Sequence, residues 1–343
     1  MKIGIVGFPG SGKTALFNAL TGQEAPVGYG ESKVNLGVIK VPDRRVERLA
    51  EIDDPRKTTF VEITFADVPG GRGEQSLDPR TLGRIREMDA LVQVLRGFDG
   101  GFGEPDPAGE LESFETELIL SDMQVAEKRV ERLRKDRSDP RQLELLERCL
   151  EQLGDSALLR DLDLSGDDLF SLSGFAFLTL KPLLVVLSQP EDEAGRPPPE
   201  DLVRATEKRG LAVMPLSGQI EAEIAALDPE DQQAFLADLG LAEPASRRFI
   251  RRAYELLDLI SFLTRGPDEC RAWPLRRGSS ALEAAGQVHS DIARGFIRAE
   301  VIAFEDFDRL GSEAACRDAG VLRVEGKDYV VRDGDICNFR FNV

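Results

Sequence analysis

Hydrophobic and polar residues follow two different periods in the first hundred residues of the chain. Short apolar runs alternate with segments in which apolar residues recur every three or four positions, such as Leu16, Phe17 and Leu20. This arrangement predicts buried strands joined by amphipathic helices, which is typical of an α/β fold with a parallel sheet. The predicted strands are 3–7, 34–41, 60–67, 90–95, 181–188 and 211–218.

The middle of the chain has a purely helical period. From about residue 110 to about residue 153, Leu and Val recur every three or four positions between Glu and Arg, and Ser138-Asp139-Pro140 interrupts the run as a turn would. The pattern predicts two antiparallel helices, a coiled-coil-like hairpin that projects from the α/β domain. An ordinary helical subdomain without a partner is an equally good interpretation.

The last eighty or so residues return to short alternating segments around one helix, which predicts a small α+β unit. The changes of pattern therefore predict three domains. The α/β domain would comprise 1–108 and 178–262, the helical insertion 109–177, and the C-terminal unit 263–343.

The composition agrees with a globular protein and restricts its partners. Hydrophobic residues make up 41% of the chain, yet no apolar window approaches the roughly 18 residues that span a bilayer. The apolar run 3–6 is too short for a signal peptide, and the four cysteines are scattered, so we expect reduced thiols in a cytoplasmic protein. A formal net charge of −18 argues against broad binding to nucleic acid. We expect no membrane partner and no DNA partner.

The first predicted strand leads into the sequence GFPGSGKT, which has the spacing of a phosphate-binding loop. In such loops, backbone N–H groups at a helix N-terminus surround the phosphates, a lysine neutralises the β- and γ-phosphates, and a Thr hydroxyl binds Mg²⁺. These roles fall to Lys13 and Thr14. The residues predicted to bind the nucleotide in this loop are Phe8, Pro9, Gly10, Ser11, Gly12, Lys13, Thr14 and Ala15.

An acidic partner for Mg²⁺ is predicted at the end of the strand 60–67. Asp67 begins the sequence Asp-Val-Pro-Gly, and the D-x-x-G form is typical of switch-type GTPases, in which the N–H of the glycine, here Gly70, senses the γ-phosphate. Guanine is normally read by an Asn/Thr-Lys-x-Asp segment after a later strand. The chain has Ser188-Gln189-Pro190-Glu191 there, so guanine selectivity loses its main chemical support.

Long stretches of the chain resemble the YchF-type, Obg-like ATPases. The resemblance is strongest in IEAEIAALDPEDQQAFLADLGL, RRAYELLDLISFLTRGPDECRAW, GFIRAEVIAFEDF and EGKDYVVRDGDICNFRFNV, and it extends to NLGVIKVPDRRVERLAEI and TELILSDMQVAEKRVERLRK. It implies a Ras-like P-loop NTPase domain, an inserted α-helical hairpin and a C-terminal TGS domain of the ubiquitin-like β-grasp type.

The resemblance also implies ATP as the nucleotide, with GTP as a second candidate. The family's N-x-x-E segment aligns with Ser188 to Glu191, and Ser217 and Gly218 stand where the family contacts the base edge. A serine hydroxyl makes fewer hydrogen bonds than the asparagine amide that it replaces.

Several departures from the family pattern concern hydrolysis. Gly10 stands where the family has an asparagine that helps to bind a monovalent cation, and Glu31 stands at the Thr of the first switch, with Ser32 beside it as a further candidate Mg²⁺ ligand. Gly71 takes the place of a hydrophobic residue, and Gln75 has the wrong spacing to position water. We therefore expect slow hydrolysis, in which Lys13 supplies charge and a partner stimulates the reaction.

The TGS resemblance implies contact with the ribosome or RNA through the C-terminal unit and the hairpin. Trp273 could stack on a base with the cations of Arg271, Arg276 and Arg277 close to it, although packing of the tryptophan at a domain junction is the simpler interpretation. Three functions remain: a slow ATPase switch at the ribosome, a nucleotide-binding module without hydrolysis, and a small-molecule kinase. The kinase is disfavoured because no acceptor pocket or lid arginines can be located.

Overall fold

The fold is described by a computed structural model for residues 1–26, 33–70, 77–101 and 103–342. These residues divide into two compact units, 1–39 with 64–249 and 40–63 with 250–343. The strands are β1 (Lys2–Val6), β2 (Asn35–Lys40), β3 (Lys57–Thr59), β4 (Glu62–Asp67), β5 (Ala90–Arg96), β6 (Leu183–Ser188), β7 (Val213–Leu216), β8 (Leu259–Thr264), β9 (Glu269–Arg276), β10 (Phe296–Ala303), β11 (Arg323–Glu325) and β12 (Asp335–Phe341). The helices are α1 (Lys13–Thr21), α2 (Arg44–Asp53), α3 (Pro79–Arg86), α4 (Pro107–Asp136), α5 (Pro140–Gly154), α6 (Gly166–Leu172), α7 (Glu200–Glu207), α8 (Gly218–Ala226), α9 (Pro229–Asp238), α10 (Ala245–Leu256), α11 (Ala281–Val288), α12 (Ser290–Arg294), α13 (Phe304–Leu310) and α14 (Glu313–Asp318).

The sheet of the first unit has the strand order β2-β4-β1-β5-β6-β7. β1 pairs in parallel with β4 and β5, and β6 pairs in parallel with β5 and β7. All seven residues of β5 are buried, as expected for a central parallel strand covered on both faces. All six strands that the hydrophobic pattern predicts are present, and the predicted α/β fold class is confirmed. The carboxyl ends of β1, β4, β5 and β6 meet at one edge, where ligands bind in such sheets.

Four described helices of this unit begin at an Asp-Pro pair, and in three of them the aspartate side chain caps the helix. Asp78, Asp106 and Asp139 each accept a hydrogen bond from a backbone N–H in the first turn of α3, α4 and α5, and the proline after each occupies a first-turn position. Proline is favoured there because its missing N–H would have no partner within the helix. These short signals fix where the helices start.

The predicted helical hairpin is formed by α4 and α5. α4 has 30 residues, about 45 Å at 1.5 Å per residue, and its first half packs on the sheet through Leu111, Phe114 and Leu118. Its second half forms a separate core with α5, in which Leu133 and Cys149 are buried. Among the described helices, none is both long enough and apolar enough to cross a membrane.

The second unit is a mixed sheet of order β11-β10-β12-β8-β9-β3 with helices around it. It includes α2 and β3, and β3 pairs in parallel with β9. Within this unit Arg45 of α2 donates to Asp43 and to Asp333. The sequence pattern did not predict that residues 40–63 pack with the C-terminal unit. The three predicted domain boundaries stay a prediction.

Trp273 is packed inside the second unit. Its indole N–H donates to the Oγ1 atom of Thr264 at 2.9 Å, its ring stacks with Phe262, and the Arg271 guanidinium lies 3.8 Å from its centroid. These contacts give the ring a packing role within the sheet of the second unit, whereas the simpler interpretation of the sequence places it at a domain junction. All four cysteines are free and buried.

Candidate nucleotide-binding site

The loop between β1 and α1 depends on glycine at three positions. Gly7, Gly10 and Gly12 have φ values of 144°, 79° and 91°, in the region that L side chains rarely adopt. A Cβ at Gly7 would also lie 2.5 Å from the carbonyl oxygen of Val94. The N-terminus of α1 has no side-chain cap and no acidic residue in its first turn. Its backbone N–H groups and helix dipole therefore remain available for an anion.

Lys13 is buried in this loop. Its side chain is 7% exposed, and its Nζ atom donates to the carbonyl oxygen of Phe8 at 2.6 Å. Burial lowers the pKa of Lys13 to about 8, although the charges of Asp67 and Glu110 favour the protonated form. A bound phosphate would compensate for the lost hydration and raise this pKa again.

Asp67 lies next to Thr14 with one carboxylate oxygen satisfied and the other not. Its Oδ2 atom accepts hydrogen bonds from the Thr14 hydroxyl at 3.0 Å and from the Asn35 amide at 3.3 Å. The Oδ1 atom is buried and has no hydrogen-bond partner among the described residues. A hydroxyl beside an unsatisfied carboxylate is a donor set that suits Mg²⁺, which prefers oxygen ligands.

The part of the chain that the structure describes contains no cluster of three or more His, Cys, Asp or Glu side chains that could hold a metal ion. Phosphate and water oxygens would therefore have to complete the coordination of a metal at Asp67. This is the usual arrangement for Mg²⁺ in nucleotide sites, where one or two protein ligands are enough.

Gly70 lies directly against the phosphate loop. A Cβ at this position would be 3.0 Å from both the Gly7 carbonyl oxygen and the Pro9 nitrogen, and 3.2 Å from the Nζ atom of Lys13. The backbone on one side of it is bound by Thr81, whose hydroxyl donates to the carbonyl oxygen of Pro69 at 3.3 Å. The D-x-x-G glycine therefore reaches the phosphate side of the site, where any side chain would be crowded.

The predicted base-binding segments meet on the other side of the loop. A Cβ at Gly12 would lie 2.6 Å from the Oγ atom of Ser188 and 3.8 Å from the ring of Phe98. Gly218 approaches the backbone of Ala15, where a Cβ would be 3.4 Å from the carbonyl carbon. The Oγ atom of Ser217 is buried and has no partner among the described residues.

Glu191 is exposed, and its Oε2 atom accepts a hydrogen bond at 2.7 Å from the amide of Gln219, in the first turn of α8. Ser11 also has a buried hydroxyl without a described partner. The ring of Phe8 belongs to the hydrophobic core, where it meets the edge of Phe114, so only the backbone of this residue is available to a nucleotide. The predicted contribution of Ser32 lies outside the described residues, as do Glu31, Gly71 and Gln75.

Three residues of this region were not predicted from the sequence. Asn35 holds Asp67, Phe98 lies beside Gly12, and Gln219 holds Glu191. Asn35 lies near the first residue of the predicted strand 34–41, and Phe98 follows the predicted strand 90–95 by three residues. Their positions close to strand termini were the available signal that they could lie at the site. Which of these side chains turn toward the loop depends on strand order and register, and a single sequence does not contain that information.

Comparisons with known proteins agree with this geometry. A family model described as "50S ribosome-binding GTPase" matches residues 2–128, and a model for the C-terminal part of YchF GTPases, described as "Protein of unknown function (DUF933)", matches residues 259–342. The solved structure of the Schizosaccharomyces pombe YchF GTPase is similar, with a TM-score of 0.88 and 27% identity over 99% of this chain and 97% of that one.

Full-length bacterial relatives are more similar in sequence. The Escherichia coli O157:H7 protein named "Ribosome-binding ATPase YchF" is 40% identical over 100% of this chain and 99% of its own length. The Bacillus subtilis protein of the same name is 36% identical over 100% of both chains. Because this identity extends over the whole length of the chain and of its relatives, the chain belongs to the YchF family.

Proposed function

We propose that the chain binds ATP with Mg²⁺, hydrolyses it slowly and acts as a nucleotide-dependent switch at the ribosome. The observation that carries the proposal is the buried, unsatisfied Oδ1 atom of Asp67 beside the Thr14 hydroxyl and close to Lys13. An uncompensated buried carboxylate oxygen is costly unless a ligand completes it. Mg²⁺ with a triphosphate would do so.

The residues of the loop and of the D-x-x-G segment would bind the phosphates and Mg²⁺. Backbone N–H groups of Gly10 to Ala15 would bind phosphate oxygens, and Lys13 would neutralise charge that develops on the γ-phosphate during transfer. When bound, Mg²⁺ would supply further neutralisation of the phosphate charge, with Thr14 and Asp67 as its ligands. Gly70 would bring its backbone N–H to the same phosphate.

Adenine is favoured over guanine by the sequence after β6. The chain has Ser188-Gln189-Pro190-Glu191 in place of the Asn/Thr-Lys-x-Asp segment that reads guanine, and the Oε2 atom of Glu191 accepts from Gln219. Ser188, Ser217 and Gly218 would line the base site, and the unsatisfied hydroxyl of Ser217 would gain a partner from the base edge. GTP would bind more weakly.

Slow hydrolysis is supported by the sequence of the two switch segments, in which Glu31 stands at the family's Thr and Gln75 has the wrong spacing to position water. Among the described residues, the contacts of Lys13, Thr14 and Gly70 include no side chain that would orient an attacking water. Positioning contributes a large part of the rate in phosphoryl transfer, so its loss slows the reaction even when the charge-stabilising groups are intact. The relatives' name supports the ribosome as the partner. A switch on ribosomes would work in the cytoplasm.

Calorimetric titration of ATP and of GTP with Mg²⁺ tests nucleotide binding and base preference together. We expect tighter binding of ATP, and a loss of binding in Lys13→Ala. Single-turnover phosphate release should be far slower than in ordinary ATPases, and added ribosomes should accelerate it. A preference for GTP, or a fast rate without a partner, would refute this proposal.

A module that binds nucleotide without hydrolysing it is the second candidate function. It is favoured by the same absence of a water-orienting side chain from the described contacts of the loop. The two candidates differ in one measurement, because only the first releases phosphate that disappears in Lys13→Ala. Co-sedimentation with ribosomal subunits at low salt, with and without nucleotide, tests the ribosome as partner. RNA contact through the C-terminal unit and the hairpin belongs to the same proposal.

A further inference from the structure

The short helix α6, which follows the hairpin, carries an exposed aromatic side chain. Phe170 is 82% exposed and its neighbour Leu169 is 48% exposed. Scattered apolar side chains are common on protein surfaces, but a phenylalanine this exposed loses nearly all of the burial energy that its ring offers. Aromatic residues in such positions are enriched at protein interfaces.

The position of Phe170 is fixed by the structure of α6. Ser165 and Asp168 form a reciprocal capping box at the start of the helix, and Leu172 at its end is buried in the hairpin core. The Ser173 hydroxyl donates to the carbonyl oxygen of Phe170 at 2.7 Å. The backbone that carries Phe170 is therefore held by contacts at both ends of the helix, so little backbone entropy would be lost when a partner covers the ring.

Two exposed aspartates lie close to this helix in the sequence. Asp163 comes just before its N-cap, Asp167 lies in its first turn, and neither carboxylate forms an ion pair with a described residue. Arg148 donates to the main-chain carbonyl of Asp163 at 2.9 Å rather than to its carboxylate. Phe170, Leu169 and these two aspartates are called the α6 surface below.

We propose that the α6 surface binds a protein surface rich in Lys and Arg, with an apolar pocket for Phe170. The two unpaired carboxylates attract cationic side chains and repel the phosphates of RNA. An exposed aromatic ring that a partner can bury in a pocket is a frequent kind of binding hot spot. The inference rests on the proposed ribosome association, and it assigns the α6 surface to the protein part of the ribosome rather than to its RNA.

Site-specific photocrosslinking in the full chain tests the proposal. The photoreactive residue is introduced as Phe170→p-benzoylphenylalanine, and the same replacement at Leu120 of α4, which is 51% exposed, is the matched control. After irradiation with purified ribosomes, we expect position 170 to crosslink to a ribosomal protein in a product that resists ribonuclease. A crosslink to RNA, or no crosslink from a chain that co-sediments with ribosomes, would overturn the inference.

A second measurement separates this inference from the proposed function. Total ribosomal protein, freed of RNA, is the probe, and its binding to the wild-type chain is compared with that of two variants. We expect Phe170→Ala to weaken binding about tenfold, as truncation of a hot spot does, and Leu120→Ala to leave it unchanged. Because both side chains are exposed, the fold should survive, which circular dichroism checks.

The charge of the α6 surface is tested in the same assay. The double variant Asp163→Lys/Asp167→Lys should lose binding as strongly as Phe170→Ala. If the chain fails to co-sediment with ribosomes, the proposed function fails, while this assay still decides the inference. Equal binding by wild type and Phe170→Ala, or no binding by wild type, would overturn it.

Discussion

Removal of the Asp122 carboxylate should destabilise the first unit more than any exposed charge on the hairpin would. Asp122 of α4 is 0% exposed. Its Oδ1 atom accepts from the Arg86 guanidinium of α3 at 2.9 Å, and its Oδ2 atom accepts from both the N–H and the hydroxyl of Thr179 at 2.8 Å. The carboxylate therefore joins α3, α4 and the segment that follows the hairpin.

The expected loss follows from these contacts. Removing one member of a buried ion pair costs about 3–5 kcal/mol, because the remaining charge is left uncompensated. Arg86 is 20% exposed and keeps three other acceptors, on Ser121 and Ala176. The free-energy cost of leaving its charge without Asp122 therefore lies at the lower end of that range. The two Thr179 donors add about 1 kcal/mol between them, since each keeps some access to other partners after relaxation. We expect Asp122→Ala to lower the free energy of unfolding by about 4 kcal/mol.

Two optical signals separate the effect on the two units. Far-ultraviolet circular dichroism follows the helices, including the hairpin, whereas fluorescence follows Trp273, the only tryptophan, which lies in the second unit. Urea denaturation should show a lower midpoint in the dichroism of Asp122→Ala, and the Trp273 signal reports separately on the second unit. A chain with two units need not unfold in a single step, so both signals are required.

The matched control is Glu147→Ala on α5. Glu147 pairs with Arg134 at 2.7 Å, but the two side chains are 44% and 64% exposed, so the loss should be below about 1 kcal/mol. If Asp122→Ala costs no more than Glu147→Ala, the buried network does not stabilise the fold and the reasoning is wrong. Asp122→Asn, which keeps an acceptor oxygen, should fall between the two.

Three further predictions concern the nucleotide site. The pKa of Lys13 is about 8 without nucleotide, and a bound phosphate raises it. Above pH 8 the protein should therefore take up a proton when ATP binds, and its affinity for ATP should fall about tenfold from pH 7 to pH 9. Calorimetry in buffers of different ionisation heat measures the uptake, and none at pH 9 would contradict the assignment. Asn35→Ala should raise the Mg²⁺ concentration needed for nucleotide binding about tenfold, because it removes a hydrogen bond that orients the ligand Asp67. Asn18→Ala, which removes an amide that contacts Ala25 instead, should leave that concentration unchanged. Equal Mg²⁺ requirements in the two variants would show that Asn35 does not position Asp67. Gly12→Ala should weaken binding about tenfold or more, because φ is 91° and the new Cβ would meet the hydroxyl at the end of β6. Gly22→Ala, also at positive φ but with open space around it, is its control, and similar affinities in both variants would argue against that contact.

Much of the fold could be predicted because its signals are local. The spacing of apolar residues predicted all six strands of the first sheet and the hairpin, and Asp139-Pro140 marked the start of its second helix. The phosphate loop could be recognised from eight consecutive residues, because its chemistry needs glycine backbone and one lysine at fixed spacing. Asp67 followed from the rule that strand ends meet at one edge of a parallel sheet.

The remaining features depend on residues that are distant in the sequence. Asn35 reaches Asp67 from another strand, and Arg86 reaches Asp122 from another helix, so neither contact could be derived before the strand order and helix packing were known. The segment 40–63 lies between two strands of the first sheet, yet it packs with the C-terminal unit. Its local pattern contains only a helix and a short strand, and that pattern is compatible with either unit.

The sequence by itself determined the elements, the phosphate loop and the family resemblance, because each of these is written in contiguous residues or in their spacing. Only the tertiary structure decided which polar atoms remain unsatisfied at Asp67 and Ser217, and which ring remains exposed at Phe170. Whether a polar atom finds a partner, or an apolar side chain finds cover, is a property of everything packed around it. The proposals for Mg²⁺, nucleotide and a partner protein rest on these positions.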